Sequence, residues 1–188
     1  MYKGLYDCFA HWFNGGQVYF YSDPHFSDPE MQYIRKDYIG DEEQIKRINS
    51  RVSKRDTLVI LGDIGDPTWV KKIRAGRKVL VMGNHDVGAT KYKEYFDEVY
   101  EGALTIAEKV ILSHEPIEVP GMFNIHGHTH GLPLHPTDKS WNVCAENIDY
   151  IPICWKEIVK SGMIGDTLSI HRLAINKQKE RSERIKEG

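Results

Sequence analysis

The chain has 188 residues, of which 40% are hydrophobic and 28% charged, and its formal net charge is −2 at pH 7. This composition predicts a folded globular protein, and the balance of 25 basic against 27 acidic residues disfavours a polyanionic partner such as nucleic acid. No apolar run approaches the ~20 residues that span a bilayer, so no membrane segment is expected.

Short apolar runs rich in β-branched residues recur along the chain, and each ends abruptly in glycine or polar residues. They predict five buried strands over residues 18–21, 57–61, 79–82, 110–112 and 123–125. Residues 42–52 place Ile45, Ile48 and Val52 on one face and predict a helix, and a second helix is expected to begin at Asp66 and Pro67. The alternation predicts an α/β or mixed layered fold with its chemistry in the loops at strand ends.

The two ends of the chain differ from this pattern. The turn signal at residues 14–16 predicts that the first thirteen residues add a hairpin arm, and residues 1–13 lack the pattern of an export leader. The densely charged residues 177–186 favour a solvated helix or frayed terminus over a binding tail. We therefore expect one domain over residues 1–176, followed by a charged tail over 177–188.

The three cysteines are Cys8, Cys144 and Cys154, which are odd in number and widely spaced. None belongs to a paired motif, so reduced thiols are favoured over disulfides or a cysteine metal site. A reducing compartment, the cytoplasm, is therefore expected.

Side chains of the types that bind metals follow each predicted strand. Asp23 and His25 lie two residues apart, and in an extended loop such side chains project to the same side, where they can hold one cation. His128 and His130 repeat this spacing. Carboxylate, imidazole and carboxamide groups without cysteine suit Mn²⁺, Fe²⁺, Zn²⁺ or Ni²⁺, and such groups would be costly as mere core.

The order of these motifs resembles the calcineurin-like metallophosphoesterase superfamily. The resemblance covers residues 18–158, and within it residues 20–26 and 142–146 are similar to small bacterial and phage-encoded phosphoesterases. The motifs are Asp23-x-His25, Gly62-Asp63, Gly83-Asn84-His85-Asp86, Ser113-His114 and Gly127-His128-x-His130.

The resemblance implies a four-layer αββα sandwich with mixed sheets and a metal site at the carboxyl ends of the strands. It implies two divalent ions, with Mn²⁺ preferred and Fe, Zn or Ni as alternatives. One ion would be held by Asp23, His25 and His130, the other by Asn84, His114 and His128, with Asp63 bridging both.

Two further residues of the third motif are implied to be catalytic. By this resemblance His85 sits beside the scissile group without binding metal, and Asp86 orients it. The expected activity is hydrolysis of a phosphodiester or related small phosphate ester by attack of a metal-bridging hydroxide. A phosphomonoesterase, a nucleotide pyrophosphohydrolase or a nuclease would use the same site, and a non-catalytic scaffold is less favoured because every expected ligand is present.

The chain around the motifs leaves little room for a cap over the site. The segments 26–62 and 115–124 are short, which favours a small phosphate ester as the substrate and leaves the oligomeric state open. Among the remaining polar residues, a structural or solvated role is favoured over substrate contact for His126 and His135. A solvated surface role is likewise favoured for Arg35 and Lys36.

Overall fold

The computed structural model describes residues 8–13, 15–132, 139–162, 164 and 170–187. Within these residues the chain forms nine strands in two sheets, with helices against them. The strands are β1 (Val18–Tyr21), β2 (Thr57–Ile60), β3 (Arg77–Val81), β4 (Glu98–Tyr100), β5 (Leu104–Ile106), β6 (Val110–Leu112), β7 (Phe123–His126), β8 (Ser140–Asn142) and β9 (Ile153–Cys154). The α-helices are α1 (Met31–Ile34), α2 (Asp41–Arg51), α3 (Ala89–Tyr92), α4 (Trp155–Lys160) and α5 (Ile170–Glu187).

The first sheet has the strand order β4-β3-β2-β1-β9. Strands β1 to β4 run parallel, with Phe20 opposite Val59 and Val59 opposite Val79, whereas β9 pairs antiparallel with β1. Because parallel strands end at the same edge of a sheet, the loops that follow β1, β2 and β3 lie side by side.

The second sheet has the strand order β5-β6-β7-β8. Strands β6, β7 and β8 are parallel, with Leu112 opposite Ile125, and β5 pairs antiparallel with β6. The carboxyl end of β6 leads into Ser113 and His114, and that of β7 leads into Gly127. The two sheets are therefore mixed, as the resemblance implied, and the α/β sandwich fold is confirmed.

The core lies between the two sheets and on the outer face of the first. Phe20 of β1, Val59 of β2 and Phe123 of β7 belong to one buried cluster that joins the inner faces of both sheets. The alternate residues of β1 and β2 pack instead on α2, where Ile45 and Ile48 are buried. Burial of each such side chain stabilises the fold by about 1.5–3 kcal/mol.

Most of the predicted elements are present in the structure, which also contains elements that were not predicted, among them the helices α1, α3 and α4. The five predicted strands and the helix over residues 42–52 are present to within two residues at their ends. Asp66 and Pro67 begin a 3-10 helix, Pro67–Lys72, instead of an α-helix, and the Asp66 carboxylate accepts a hydrogen bond from the Thr68 amide at 3.0 Å. Strands β4, β5, β8 and β9 are each two or three residues long and were not predicted.

The expected hairpin arm is wrong for the residues before β1 that the structure describes. Residues 8–13 contain a 3-10 helix, Ala10–Trp12, and no strand. Phe9 and Trp12 are three residues apart, stack with ring centroids 5.6 Å apart and are buried in the core. This spacing fits a helical turn that brings both rings to the same side. Residues 1–7 lie outside the described part of the chain.

At the other end, α5 extends across residue 177, and the side chains of residues 177–185 are exposed. The domain boundary at this residue stays a prediction. None of the helices in the described ranges is both long enough and apolar enough to cross a membrane.

Candidate metal centre

The candidate site lies where the carboxyl ends of both sheets meet. The loop after β1 is fixed on the loop after β2, because the amides of Asp23 and His25 donate to the carbonyl oxygens of Gly62 and Asp63 at 3.1 and 3.0 Å. The loops after β6 and β7 are joined in the same way, by a 2.9 Å hydrogen bond from the Gly127 amide to the His114 carbonyl. Within each sheet, neighbouring loops of the candidate site are thus fixed on one another.

One group of side chains surrounds the carboxylate of Asp23. Its Oδ1 lies 3.9 Å from Nε2 of His25 and 3.7 Å from Nε2 of His130. Oδ1 of Asp23 and Nε2 of His25 are buried and have no hydrogen-bond partner among the described residues. Because an unpaired buried polar atom costs about 1–3 kcal/mol, the two atoms point to a missing partner, and a cation satisfies both.

A second group converges beside the first. Oδ1 of Asn84 lies 2.8 Å from Nε2 of His114 and 3.0 Å from Nδ1 of His128, and the two histidine nitrogens are 3.0 Å apart. Nδ1 of His114 donates to the Leu61 carbonyl at 2.8 Å, since a carbonyl only accepts, and this leaves a lone pair on Nε2. Lone pairs of His114 and Asn84 therefore face each other, an arrangement that a metal ion stabilises.

Asp63 stands between the two groups. Its Oδ2 is 3.5 Å from Nε2 of His25 and 3.4 Å from Nε2 of His114, while its Oδ1 accepts a hydrogen bond from the His85 amide at 3.0 Å. The carboxylate is 2% exposed. The structure thus brings all seven predicted ligand side chains together, and the donor set fits borderline divalent cations.

Residues 16–186 match the family model of the calcineurin-like phosphoesterases. The chain belongs to this family. The calcineurin-like phosphoesterases are metal-dependent hydrolases, which agrees with the candidate ligand groups around Asp23 and Asp63.

Two solved structures resemble this calcineurin-like phosphoesterase. A protein of unknown function from Aquifex aeolicus superimposes with a TM-score of 0.65 at 27% identity, over 77% of this chain and 98% of that protein. The nuclease MPE from Pseudomonas putida has a TM-score of 0.45 at 20% identity, over 63% of this chain and 64% of the nuclease. No curated protein matches the chain.

The backbone of the ligand loops corrects the reasoning from two-residue spacing. The loops are not extended at these residues: Asp23 and His25 have φ values of 56° and 45°, and His128 and His130 have φ values of 66° and 48°. Asp63 is also left-handed, with a φ of 54°. Such conformations cost energy in non-glycine residues and cluster at functional sites, where the surrounding structure holds them.

Glycines let the loops of this phosphoesterase approach each other closely. A Cβ on Gly83 would overlap Oδ1 of Asp63, and a Cβ on Gly127 would overlap Oγ of Ser22 and Oδ2 of Asp23. The Ser22 hydroxyl has no freedom to move away, because it is buried and donates to the Leu61 carbonyl at 2.6 Å. The glycines in these motifs are therefore required by packing around the carboxylates.

Gly127→Ala is expected to destabilise the metal-free protein by about 1–3 kcal/mol, the usual cost of forcing an extra methyl group into a packed interior. Urea unfolding of the variant and of the wild type measures this difference. Gly102→Ala is the matched control, because no heavy atom lies within 4 Å of its Cβ position, and its effect should stay within roughly 0.5 kcal/mol. Equal stability of the two variants would contradict the packing argument.

His85 lies at the mouth of the site. Its side chain is 67% exposed, and its Nε2 is 4.0 Å from Oδ2 of Asp63. The ring centroid of His85 is 5.6 Å from that of His25. The imidazole is thus beside the candidate metal ligands and open to a substrate.

Among the described residues, the hydrogen-bond partners of the Asp86 carboxylate do not include His85. Its carboxylate accepts hydrogen bonds from the amides of Asp63 and Gly83 and from two further donors, Ile64 and Tyr92, at 2.8–3.0 Å. Because Asp86 itself follows β3, its bonds from the amides of Asp63 and Ile64 join the loops after β2 and β3. In the structure Asp86 therefore positions the backbone of Asp63.

Two groups that sequence reasoning left without a catalytic role contact the ligands. Arg35 is 7% exposed, so the expectation of a solvated surface residue is wrong; its Nη1 donates to the Asp23 carbonyl at 3.0 Å. Glu146 places Oε1 2.7 Å from Nδ1 of His130. The resemblance of residues 142–146 to small phosphoesterases was the one sequence signal for Glu146.

Cys144 and His126 complete the surroundings of the site. The Cys144 thiol donates to Oδ2 of Asp23 at 3.2 Å, and burial raises the pKa of this thiol well above its ordinary value. His126 is buried, which lowers its pKa, and its Nδ1 lies 2.9 Å from the Gly127 carbonyl oxygen. His135 lies outside the described residues.

Two clefts flank the candidate centre. One, of about 340 Å³, is lined on the His128 and His130 side by residues that include Ile34, Lys36 and Leu132. The other, of about 290 Å³, extends past Asn84 and His114 and is lined by residues that include Glu101, Glu115 and Ile117. Both have the size of a small-molecule site.

Proposed function

We propose that this chain hydrolyses small phosphate esters, with a preference for diesters, using two divalent ions held by the seven clustered side chains. The observation that carries the proposal is the position of Asp63. Its Oδ2 lies 3.5 Å from Nε2 of His25 in one ligand group and 3.4 Å from Nε2 of His114 in the other. A carboxylate that faces two ligand groups at once is suited to bridge two cations.

The assignment of ligands follows the two groups. Asp23, His25 and His130 serve the first position, supported by the distances of 3.9 and 3.7 Å from Asp23 Oδ1 to Nε2 of each histidine. Asn84, His114 and His128 serve the second position, supported by their contacts of 2.8–3.0 Å. Mn²⁺ is our choice of metal, because oxygen and imidazole donors without thiolate suit it.

The protein's own groups would divide the work of hydrolysis. When bound, the two ions supply an activated water and neutralise charge on the phosphate oxygens. Asp63 holds the two ligand groups together, and His85, exposed at the mouth, donates a proton to the oxygen of the leaving group. Asp86 keeps the Asp63 loop in place through its hydrogen bonds to backbone amides.

The clefts support a small substrate. Volumes of about 340 and 290 Å³ accommodate one organic group of an ester on each side of the phosphate. Glu101 and Glu115 line one cleft and would repel the further phosphates of a polynucleotide, so a nuclease is not favoured.

We place the protein in the cytoplasm, since Cys144 and Cys154 are buried thiols outside any disulfide.

We predict that the protein binds two Mn²⁺ per chain, because seven ligands with a shared carboxylate exceed what one ion of about four- to six-fold coordination uses. Metal analysis after reconstitution measures the stoichiometry. Removal of the ions with a chelator should abolish release of nitrophenol from bis(nitrophenyl) phosphate, and Mn²⁺ should restore it. A reproducible stoichiometry of one, or full activity after chelation, would refute the proposal.

The same assay separates the esterase classes. Rates on the diester bis(nitrophenyl) phosphate and on the monoester nitrophenyl phosphate are compared at equal protein and Mn²⁺ concentrations. A faster diester rate supports the proposed preference, whereas a faster monoester rate makes the protein a phosphomonoesterase. Two bound ions without turnover of either ester would favour a non-catalytic scaffold.

A further inference from the structure

A buried ion pair lies directly behind the candidate ligand His130. Nη1 of Arg35 is 3.3 Å from Oε2 of Glu146, and the two side chains are only 6% and 17% exposed. Arg35 follows α1, and Glu146 belongs to the short 3-10 helix Ala145–Ile148, so the pair joins segments 111 residues apart in the chain. Neither side chain has a direct role in the chemistry proposed above.

Both members of the pair approach the same nitrogen of His130. Oε1 of Glu146 is 2.7 Å and Nη2 of Arg35 is 3.0 Å from Nδ1. A carboxylate only accepts and a guanidinium only donates, so Nδ1 can bond to one of them at a time. A proton on Nδ1 that is donated to Glu146 leaves the lone pair of Nε2 directed at Asp23 Oδ1, 3.7 Å away.

The segment that carries Glu146 also holds the backbone of His130. The side-chain amides of Asn142 and Asn147 both donate to the His130 carbonyl, at 3.0 and 2.6 Å. The amide of Ala145 donates to the Ser22 carbonyl at 3.0 Å, which anchors the segment next to Asp23. His130 is therefore fixed at its carbonyl and at its ring by one stretch of chain, residues 142–147.

Resting on the proposed function, we propose that Glu146 and Arg35 are positioning residues of the first metal position. Glu146 holds His130 in the tautomer and orientation in which Nε2 faces the metal. Arg35 compensates the buried charge of Glu146 and, through the Asp23 carbonyl at 3.0 Å, fixes the loop of a second ligand. A carboxylate on the outer nitrogen also makes the imidazole a stronger ligand.

This arrangement is specific to one of the two positions. On the other side, the outer nitrogen of His114 is held by the neutral carbonyl of Leu61. Neither Glu146 nor Arg35 forms a hydrogen bond or ion pair with Asn84, His114 or His128 within the described ranges. Loss of the Glu146 carboxylate should consequently weaken one ion and leave the other unchanged.

The test is calorimetric titration of Mn²⁺ into the metal-free full-length protein. Glu146→Ala should weaken binding of one ion by about 10–100-fold, the usual effect of removing such an outer partner. Glu146→Gln should have a smaller effect, because its amide oxygen still accepts from Nδ1 without the charge. Glu43→Gln is the matched control, since Glu43 is paired with Lys46 and Arg47 on α2. It should bind both ions as the wild type does.

The midpoint of thermal unfolding of each metal-free variant is compared with that of the wild type. This comparison shows whether a loss of Mn²⁺ affinity comes from lost positioning of His130 or from a loss of overall stability. If both Glu146 variants bind both ions with wild-type affinity, or lose affinity for the two ions equally, the inference is overturned. Should Glu146→Ala fail to fold, Glu146→Gln gives the same comparison. If the wild type binds only one ion, the two-ion proposal fails, and the inference then stands only if Glu146→Ala weakens that ion.

Discussion

Replacement of Asp63 by alanine is expected to remove both metal ions together and to lower hydrolysis by about 10³-fold or more. The carboxylate faces both ligand groups, at 3.5 and 3.4 Å, so its loss affects the two positions at once. Several kcal/mol of charge stabilisation would be lost with the ions, and each ~1.4 kcal/mol corresponds to a factor of ten in rate. No other single ligand in the site should have this double effect.

The backbone at Asp63 requires a companion variant. Because its φ is 54°, alanine adds local strain that aspartate and asparagine tolerate better. Asp63→Asn keeps the oxygen that accepts from the His85 amide and removes only the charge, and it should also lose the paired binding of the two ions.

Metal analysis and diester hydrolysis on both Asp63 variants provide the measurement, with His130→Ala for comparison. The His130 variant should lose mainly one ion, because His130 contacts only the first group. Retention of both ions and most of the activity in Asp63→Asn would show that Asp63 does not bridge the two positions.

The convergence of the candidate ligands was predictable from the sequence because parallel strands end at a common edge. Asp23, Asp63 and Asn84 follow three neighbouring parallel strands, and His114 and His128 follow two parallel strands of the second sheet. Once the strands are recognised as buried apolar runs, elementary sheet geometry brings these residues together.

Local backbone shape was not predictable in the same way. The left-handed φ values at Asp23 and His25 depend on hydrogen bonds from their amides to residues 62 and 63, nearly 40 positions further along the chain. The short strands β4 and β9 have only three and two residues and owe their form to pairing with β3 and β1. Patterns within one segment carry no signal for such contacts.

The burial of Arg35 likewise depends on a contact that its local sequence does not predict. Two adjacent charged residues, Arg35 and Lys36, are typical of a solvated surface segment, yet only Lys36 is exposed. Arg35 is buried because Glu146, 111 residues away, supplies the opposite charge. Although burial alone would raise the pKa of Glu146, the hydrogen bond with His130 and the charge of Arg35 lower it. A partner so distant in the chain is visible only in the folded protein.

Removal of His85 should separate the chemical step from metal binding. The side chain is exposed at the mouth of the site, and its Nε2 is 4.0 Å from Asp63 Oδ2, beside the proposed metal positions and outside both groups of candidate ligands. If it donates a proton to the leaving oxygen, His85→Ala should lower turnover by roughly 10²–10⁴-fold, the usual contribution of a positioned acid. The content of bound Mn²⁺ should stay at the wild-type level.

The size of the His85 effect should depend on the leaving group. Nitrophenolate departs as a stable anion with little help, whereas an alkoxide requires a proton, so His85→Ala should slow alkyl esters more than aryl esters. His85→Asn should not restore the rate of hydrolysis of the alkyl ester, because an amide forms hydrogen bonds but supplies no proton near neutral pH.

His11→Ala, in the 3-10 helix before β1, is the control: it changes a different exposed histidine and should leave the rates on both esters unaltered. Parallel metal analysis and kinetics on both ester types decide between the roles. Loss of an ion in His85→Ala would make His85 a ligand, and an equal loss of rate on both esters would make it an electrostatic group instead of an acid.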